Sequence, residues 1–234
     1  MSTPFDLYAP KYDEWFLKNE KVLLSELRVV AYFLLKRPIG RTLSVGCGSG
    51  LFEMLLKNTY NIEIKECIEP SEMGEIAKKR GLDVKRGYAE SLPYPDNTFD
   101  TVLINGVLHY VKDQQKSVNE AYRVLKKNGW VIIAQIPAES SYGLLYELAK
   151  ILGTWDHPYL KKIAPKDPYP IDFVKSGNWE ISLDDIVTWM KNAGFKNIEF
   201  AQTLMRHPKY SNNEIEDAIE GFDRGDYVAI KGEK

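Results

Sequence analysis

Three glycines at alternate positions, directly after a short apolar strand, constrain the fold of this chain more than any other stretch. Residues 42–45 read Thr-Leu-Ser-Val, residues 46–50 read Gly-Cys-Gly-Ser-Gly, and an apolar helix begins at Leu51. Glycine lets the backbone turn sharply and lets a ligand approach with no Cβ in its way. The helix behind the turn offers free N–H groups and a partial positive charge. The stretch therefore predicts a nucleotide-type pocket at the carboxyl end of a first strand.

The spacing of these glycines does not fit two common nucleotide motifs. A dinucleotide fingerprint would place its third glycine at position 51, where this chain has Leu51. A P-loop ends in Lys-Ser or Lys-Thr, and no such pair follows Gly50. A tight strand-to-helix turn without a ligand is the alternative, so the rest of the chain must decide.

An acidic residue stands where a second strand should end. Residues 62–69 read as that strand, and Glu69 lies 19 residues after Gly50. In a pocket of this kind such a carboxylate accepts two hydrogen bonds from a ribose diol. The alternative is that Glu69 caps the helix predicted at residues 72–80, a role that Ser71 could also fill.

Strands and helices alternate through the first 136 residues. The predicted helices are residues 20–36, 51–57, 72–80 and 113–126, the last closed by Asn128-Gly129. The predicted strands are residues 42–45, 62–69, 84–88, 102–105 and 130–136, with a proline-rich loop at residues 89–100. Apolar strands separated by helices indicate a parallel, doubly wound α/β sheet.

The C-terminal residues predict a helix followed by a pair of strands. Residues 182–193 form the helix, with Ser182 as N-cap and Gly194 at its end. Residues 197–204 and 227–231 alternate as two strands, which predicts an antiparallel hairpin at the edge of the sheet. Residues 212–222, between them, read as a short acidic helix.

Charge and cysteine content argue against several classes of protein. The 31 Lys and Arg residues nearly balance the 33 Asp and Glu residues, and no basic run favours nucleic acid. No apolar run approaches the roughly 20 residues of a membrane span, and the N-terminal residues are too polar for a signal peptide. Cys47 and Cys67 make neither a disulfide framework nor a metal-ligand spacing. We therefore expect a cytoplasmic protein without a metal site.

Four segments resemble the class I S-adenosylmethionine-dependent methyltransferases, in the branch that contains the ubiquinone/menaquinone-type C-methyltransferases. They are residues 45–50, 69–71, 89–100 and 120–130. The N-terminal Tyr8-Ala9-x-x-Tyr12-Asp13 is similar to a flap that these enzymes often have. The resemblance implies a Rossmann-like, seven-stranded, mostly parallel sheet. It also implies S-adenosylmethionine as cofactor and S-adenosylhomocysteine as product.

The resemblance assigns the cofactor contacts to particular residues. Gly46 and Gly48 would lie close to the methionine moiety of the cofactor, and Asn105 would lie beneath the sulfonium. The family usually has Asp or Asn before its Ala-Glu pair to bind adenine, whereas this chain has Tyr88, so that bond is either lost, moved to Glu90 or replaced by stacking on the Tyr88 ring. The implied cofactor-binding set is Tyr12, Gly46, Cys47, Gly48, Glu69, Pro70, Ser71, Tyr88, Ala89, Glu90, Asn105 and Gly106.

Two aromatic stretches lie outside the family motifs. Residues 5–16 contain two phenylalanines, two tyrosines and a tryptophan, and read either as a flap over a ligand or as a cover for the core. Residues 137–180 carry five prolines and several aromatic residues, with a helix predicted at residues 140–152 and irregular backbone after it. Long loops of this kind are functional or disordered, and the aromatic content favours order. We expect residues 137–180 to form a lid over the substrate, with a structural cover as the alternative.

The chemistry expected from the resemblance is an in-line methyl transfer to a small-molecule acceptor, driven mainly by proximity and desolvation. His109 is the only histidine near the expected methyl position, where it would act as a general base or only pack. The alternative function is a non-catalytic S-adenosylmethionine-binding protein that acts through a protein partner.

The sequence predicts a single domain, as a monomer or homodimer. Its parts are an N-terminal flap and helix (1–40), a cofactor-binding half (41–136), the lid (137–180), and a C-terminal helix with edge strands (181–234).

Overall fold

An eight-stranded sheet organises the computed structural model, which describes residues 4–7 and 9–234. Tyr8 of the predicted flap lies outside the described residues. The strands are β1 (Thr42–Val45), β2 (Glu66–Ile68), β3 (Asp83–Lys85), β4 (Phe99–Asn105), β5 (Leu125–Gln135), β6 (Lys196–Thr203), β7 (Ile219–Glu220) and β8 (Tyr227–Glu233). The helices are α1 (Pro4–Leu7), α2 (Ala9–Lys18), α3 (Glu20–Leu34), α4 (Leu51–Tyr60), α5 (Met73–Lys79), α6 (Gln114–Val124), α7 (Ser141–Leu152), α8 (Leu160–Ile163), α9 (Ile171–Ser176) and α10 (Leu183–Ala193).

The strand order is β3-β2-β1-β4-β5-β8-β6-β7. Strands β1 to β5 are parallel, and β8, β6 and β7 join by antiparallel pairs. Val45, the last residue of β1, pairs with Ile68 of β2 and Ile104 of β4, so these three strands end at one level. The order reverses between β1 and β4, where doubly wound sheets hold their ligands. The predicted fold is confirmed, and the eighth strand is the two-residue β7.

Two apolar clusters cover the two faces of the sheet. One joins α3, α4, α7 and α9 to the sheet and includes Phe33, Leu27 and Phe173. The other packs α6 and α10 on the opposite face. Helix α10 begins as predicted, because the Ser182 and Asp185 side chains each bond the other residue's backbone N–H.

The predicted end of the fourth helix is wrong. Helix α6 stops at Val124, and β5 begins at once with Leu125, which is fully buried and pairs with Phe99. Asn128, in the left-handed region at φ 62°, turns the chain within the first part of β5 and does not close a helix. Burial of Leu125 against β4 therefore outweighs the helical pattern of the sequence.

The predicted acidic helix at residues 212–222 is also wrong. This segment is a turn followed by β7, which pairs with β6. Buried Glu216 accepts the backbone N–H of Met205 at 2.8 Å, and its own N–H donates to Ser25 Oγ at 2.8 Å. These bonds tie the segment to the body of the protein in a non-helical path.

The segment after α7 is less irregular than the sequence predicts, because it contains the short helices α8 and α9. The predicted helix at residues 140–152 is confirmed as α7. Within residues 4–7 and 9–234, no helix is both long and apolar enough to cross a membrane.

Candidate active site

A cavity of about 920 Å³ opens at the carboxyl ends of β1 and β4. It runs from the glycine loop, past the ends of β2 and β4, to a chamber between the N-terminal helices and the predicted lid. All predicted site residues except Cys47 line it: Tyr12, Gly46, Gly48, Glu69, Pro70, Ser71, Tyr88, Ala89, Glu90, Asn105, Gly106 and His109. Sequence positions that are far apart thus meet at the predicted edge of the sheet.

The glycine loop holds a backbone that other residues would strain. Gly46 has φ +71°, and a Cβ built there would lie 2.6 Å from Val107 Cγ2. Gly48 has φ +55° and faces the end of Met73, 3.1 Å from such a Cβ. Both angles lie in the left-handed region that favours glycine. The loop therefore gives a ligand direct access to backbone atoms at the floor of the cavity.

Glu69 sits at the end of β2 with both carboxylate oxygens engaged. Oε2 accepts the Gly48 N–H at 2.9 Å, and Oε1 accepts the Ser71 N–H at 2.9 Å and the Ser71 hydroxyl at 2.5 Å. Burial raises its pKa, and the bonds from Ser71 and Gly48 oppose that shift. A carboxylate offers about four lone-pair sites, so Glu69 can still accept from a ligand's hydroxyl groups.

The residues expected near adenine lie at the outer end of the cavity. Tyr88 is 67% exposed, whereas Ala89 is buried. The Glu90 carboxylate accepts the Lys112 backbone N–H at 3.1 Å, which holds it at the rim. The exposed Tyr88 ring and the anchored Glu90 carboxylate both line the cavity here. The contact of either residue with adenine stays a prediction.

Cys47 departs from the expectation in two ways. Its side chain is not among those that line the cavity, and it forms a disulfide with Cys67 of β2. The prediction that these cysteines close no disulfide is therefore wrong. The two Cα atoms are 6.0 Å apart because parallel pairing places β2 beside the end of β1.

The N-terminal arm is fixed to the glycine loop by a carboxylate that the sequence analysis did not single out. Asp13 accepts the Ser49 hydroxyl at 2.5 Å and Arg80 Nη2 at 2.6 Å. Arg80 Nη1 also donates to the Ser49 carbonyl at 2.8 Å. These bonds hold Tyr12, the preceding residue of α2, in the wall of the cavity. The only signal in the sequence was the position of Asp13 beside Tyr12 in the flap motif.

Aromatic rings form the inner chamber. Tyr146 packs on Trp179 with ring centroids 4.7 Å apart, and it stacks on Tyr169 at 5.9 Å. Phe5 of α1 contacts Phe173 of α9 at 4.9 Å, so the arm and the predicted lid meet over the chamber. Trp15 Nε1 strengthens that junction by donating to the Asp167 carbonyl at 3.0 Å.

His109 lies in the wall of the chamber as a buried, neutral imidazole. Its Nδ1 is 2.8 Å from the Asn178 carbonyl oxygen, so Nδ1 carries the proton and donates it. Burial lowers the pKa of His109 to about 4, against the opposing effect of the Asn178 and Ile136 carbonyls. Nε2 has no partner with hydrogen-bond geometry among the described residues. The ring also packs on Trp179 at 4.4 Å.

Asn105 is held in position at the end of β4. The Tyr227 hydroxyl donates to Asn105 Oδ1 at 2.8 Å, which fixes the orientation of the amide. The described part of the chain contains no group of three or more His, Cys, Asp and Glu side chains that could hold a metal ion. The site offers hydroxyl groups, the Asn105 amide, the buried Glu69 carboxylate and aromatic rings.

Comparison with known proteins places these features in one family. Residues 43–133 match the model of the methyltransferase domain family. An uncharacterised protein of Methanocaldococcus jannaschii is 36% identical over 231 residues, covering 98% of each chain. The ubiquinone/menaquinone biosynthesis C-methyltransferase of Escherichia coli is 30% identical over 116 residues, which cover 48% of this chain and 45% of that enzyme.

A solved structure from Thermotoga maritima has the same fold over nearly the whole length. Its sequence is 35% identical to this chain, the two structures superpose with a TM-score of 0.81, and the match covers 98% of each chain. That protein is described as an S-adenosylmethionine-dependent methyltransferase and a possible histamine N-methyltransferase.

Proposed function

Because this chain belongs to the S-adenosylmethionine-dependent methyltransferases, which release S-adenosylhomocysteine, we propose that it methylates a small molecule bound in the aromatic chamber. The observation that carries the proposal is the continuity of the cavity. One space connects the glycine loop and Glu69 to the rings of Tyr146 and Trp179. A donor and an acceptor can therefore meet within one cavity.

The lining fits the cofactor in both shape and chemistry. The crowding around Gly46 leaves room only for a bare backbone, and Glu69 supplies carboxylate oxygens for ribose hydroxyl groups. In this proposal Ser71 and Pro70 keep Glu69 in place, and Tyr12 covers the cofactor from α2. Tyr88 and Glu90 line the end of the cavity where adenine would lie.

The proposed catalysis depends on position and on the exclusion of water. When bound, S-adenosylmethionine supplies a methyl group on a positively charged sulfur for in-line displacement by the acceptor. The arm and lid enclose the acceptor, and the Asn105 amide, fixed by Tyr227, lines the space between the two sites. Orientation and desolvation can supply most of the acceleration of such a transfer.

The small-molecule class of acceptor is supported by the size and lining of the chamber. The cavity volume of about 920 Å³ must hold the cofactor as well, which leaves space for a compact acceptor. The Thermotoga maritima relative carries the name of an enzyme for one small amine, histamine. We extend the proposal to a single-domain enzyme with residues 137–180 as its lid, a monomer or homodimer. Cytoplasmic location remains a prediction from the sequence.

Calorimetry of S-adenosylhomocysteine binding tests the cofactor site. We expect Glu69→Ala to weaken binding roughly 10–100-fold, because hydrogen bonds to a charged acceptor contribute about 1.5–3 kcal/mol. Glu63→Ala is the matched control, since Glu63 makes an exposed ion pair with Lys57 away from the cavity. Unchanged affinity in Glu69→Ala would refute the ribose role. Absence of binding to the unmodified protein would refute the proposed function.

A further inference from the structure

A buried carboxylate without a partner lies in the wall of the chamber. Glu26 of α3 is only 5% exposed, and it lines the cavity. Among residues 4–7 and 9–234, it has no hydrogen-bond or ion-pair partner for its side chain. A buried carboxylate usually pairs with a cation or with several donors, since desolvation of a lone charge costs much free energy. The Glu26 carboxyl group is therefore available to pair with a group of a bound ligand.

Four tyrosines from three elements lie close enough to this carboxylate for its charge to act on them. The negative charge of Glu26 adds to the effect of burial in raising the pKa of Tyr12 of α2, Tyr142 and Tyr146 of α7, and Tyr227 of β8. Tyr142 is engaged elsewhere, with its hydroxyl 2.6 Å from Ser211 Oγ. The second buried acid of this region, Asp226, accepts the Ser141 N–H at 2.7 Å. Glu26 thus lies near several tyrosine rings and has no partner of its own in the described part of the chain.

The cavity lining contains six other charged residues, of which Lys112 contacts Glu90 at the proposed adenine end. Arg86 pairs with Glu72, close to Glu69 in sequence, and Lys112 holds Glu90 through its backbone. The charged residues of the lining other than Glu26 are Asp6, Glu69, Arg86, Glu90, Lys112 and Lys116. Among the described residues, no cationic side chain of this lining pairs with Glu26, and none opposes the effect of burial on its pKa.

We propose that the methyl acceptor carries an ammonium group, which pairs with the Glu26 carboxylate inside the aromatic chamber. This inference rests on the proposed function. A cation is the partner that a buried carboxylate lacks, and aromatic faces attract cations through their quadrupoles. A neutral or acidic acceptor would leave Glu26 unpaired or place two like charges together. The chamber therefore selects amines over alcohols and acids of the same shape.

The ionisation of Glu26 gives this pairing a signature in solution. Burial raises the pKa of Glu26 to about 8, so the empty chamber holds a mostly neutral carboxyl group at pH 7. A bound cation lowers that pKa and expels the proton. Amine binding at pH 7 should therefore release close to one proton, and binding should strengthen as the pH rises toward 8 while the amine stays protonated.

The test uses phenethylamine and its uncharged counterpart 2-phenylethanol, each titrated into protein saturated with S-adenosylhomocysteine. Calorimetry at pH 7 in two buffers of different ionisation enthalpy measures affinity and proton release. We expect phenethylamine to bind tighter than 2-phenylethanol and to release a proton. We expect Glu26→Gln to weaken the amine roughly 10–100-fold, with no proton release and unchanged affinity for S-adenosylhomocysteine.

Asp226→Asn is the matched control, because Asp226 is a buried acid outside the cavity lining and burial raises its pKa to about 7. It should retain both the amine affinity and the proton release. Equal affinity for phenethylamine and 2-phenylethanol, no amine binding, or an unaffected Glu26→Gln variant would each overturn the inference. In all three cases intact S-adenosylhomocysteine binding would leave the proposed function standing, and loss of that binding in the unmodified protein would remove the function itself.

Discussion

Glu26 makes the free energy of unfolding depend on pH. In the unfolded chain its carboxyl group has the ordinary glutamate pKa of about 4.5, whereas burial holds the pKa in the folded state at about 8. Between these values the folded state keeps a proton that the unfolded state has lost, so wild-type stability falls as the pH rises. Glu26→Gln removes this loss. We expect the variant to gain roughly 1–3 kcal/mol relative to wild type between pH 5 and pH 8, measured by urea unfolding.

Asp226 titrates in the same range, but it is present in both proteins and cancels from that comparison. An equal stability difference at pH 5 and pH 8 would show that Glu26 is already ionised in the folded protein.

His109 is expected to be dispensable for the chemical step. The low pKa of about 4 leaves its imidazole neutral throughout the usual assay range, and its Nδ1 proton is committed to Asn178. His109→Ala should lower kcat less than about tenfold, under 1.4 kcal/mol of barrier. Exposed His157 provides the control substitution, His157→Ala. A loss of roughly 10²–10⁴ in kcat with intact cofactor affinity would instead identify a general base.

Single residues of the site were predictable where a motif named them, and were missed where burial alone reveals them. Glu69 and Asn105 follow strands whose ends the sequence located. Glu26 was not singled out, although it lies four residues after Val22 and four before Val30, on the apolar face of the helix. A charged residue at such a position is the signal that could have found it.

The clamp made by Asp13 links the N-terminal helices to the glycine loop, and its removal should loosen the arm. Asp13→Ala breaks bonds to Ser49 and Arg80, both largely shielded from water. We expect S-adenosylhomocysteine binding to weaken roughly 3–30-fold, since a partly buried charged pair contributes about 1–2 kcal/mol. Neighbouring Glu14 is exposed, so Glu14→Ala is the control. Identical affinities for S-adenosylhomocysteine in the two variants would show that the bonds of Asp13 do not contribute to cofactor binding.

We expect the proposed lid to be the segment most open to protease in the absence of ligands. Residues 153–178 contain only two short helices and are held by side-chain bonds such as Trp155 Nε1 to the Tyr169 carbonyl, 2.8 Å. We expect limited proteolysis to cut this segment first, and S-adenosylhomocysteine with phenethylamine to protect it. First cleavage at residues 206–224, with residues 153–178 resistant throughout, would contradict a mobile lid.

Elements were predictable where local pattern and tertiary packing agree. Helices α7 and α10 lie where the sequence predicts them, and the predicted Ser182 N-cap of α10 is present. Residues 212–222 have helical composition, but bonds from Glu216 to residues far away in sequence override it. No local pattern contains those partners, so the sequence of this segment alone does not determine its path.

At the scale of the whole molecule, the alternation of strands and helices was enough to predict a doubly wound sheet and the edge that carries the site. The disulfide between Cys47 and Cys67 was missed, because their separation of 20 residues has no pattern of its own. It becomes visible only after β1 and β2 are paired in register and the glycine loop is placed beside β2.

That disulfide closes a loop around α4 and ties the glycine loop to the sheet, so its reduction should destabilise the protein. A loop of this length predicts a loss of about 3 kcal/mol, or roughly 6–12 °C in Tm for a chain of this size. We expect dithiothreitol to lower the Tm of the wild type and to leave the double variant Cys47→Ser/Cys67→Ser unaffected. Thiol titration of the denatured, unreduced protein should find no free thiol. Two free thiols, or equal sensitivity of wild type and double variant to dithiothreitol, would contradict a stabilising disulfide. The glycine loop would then keep its shape through backbone hydrogen bonds alone, such as the one that the Gly46 N–H donates to the Ile68 carbonyl at 2.7 Å.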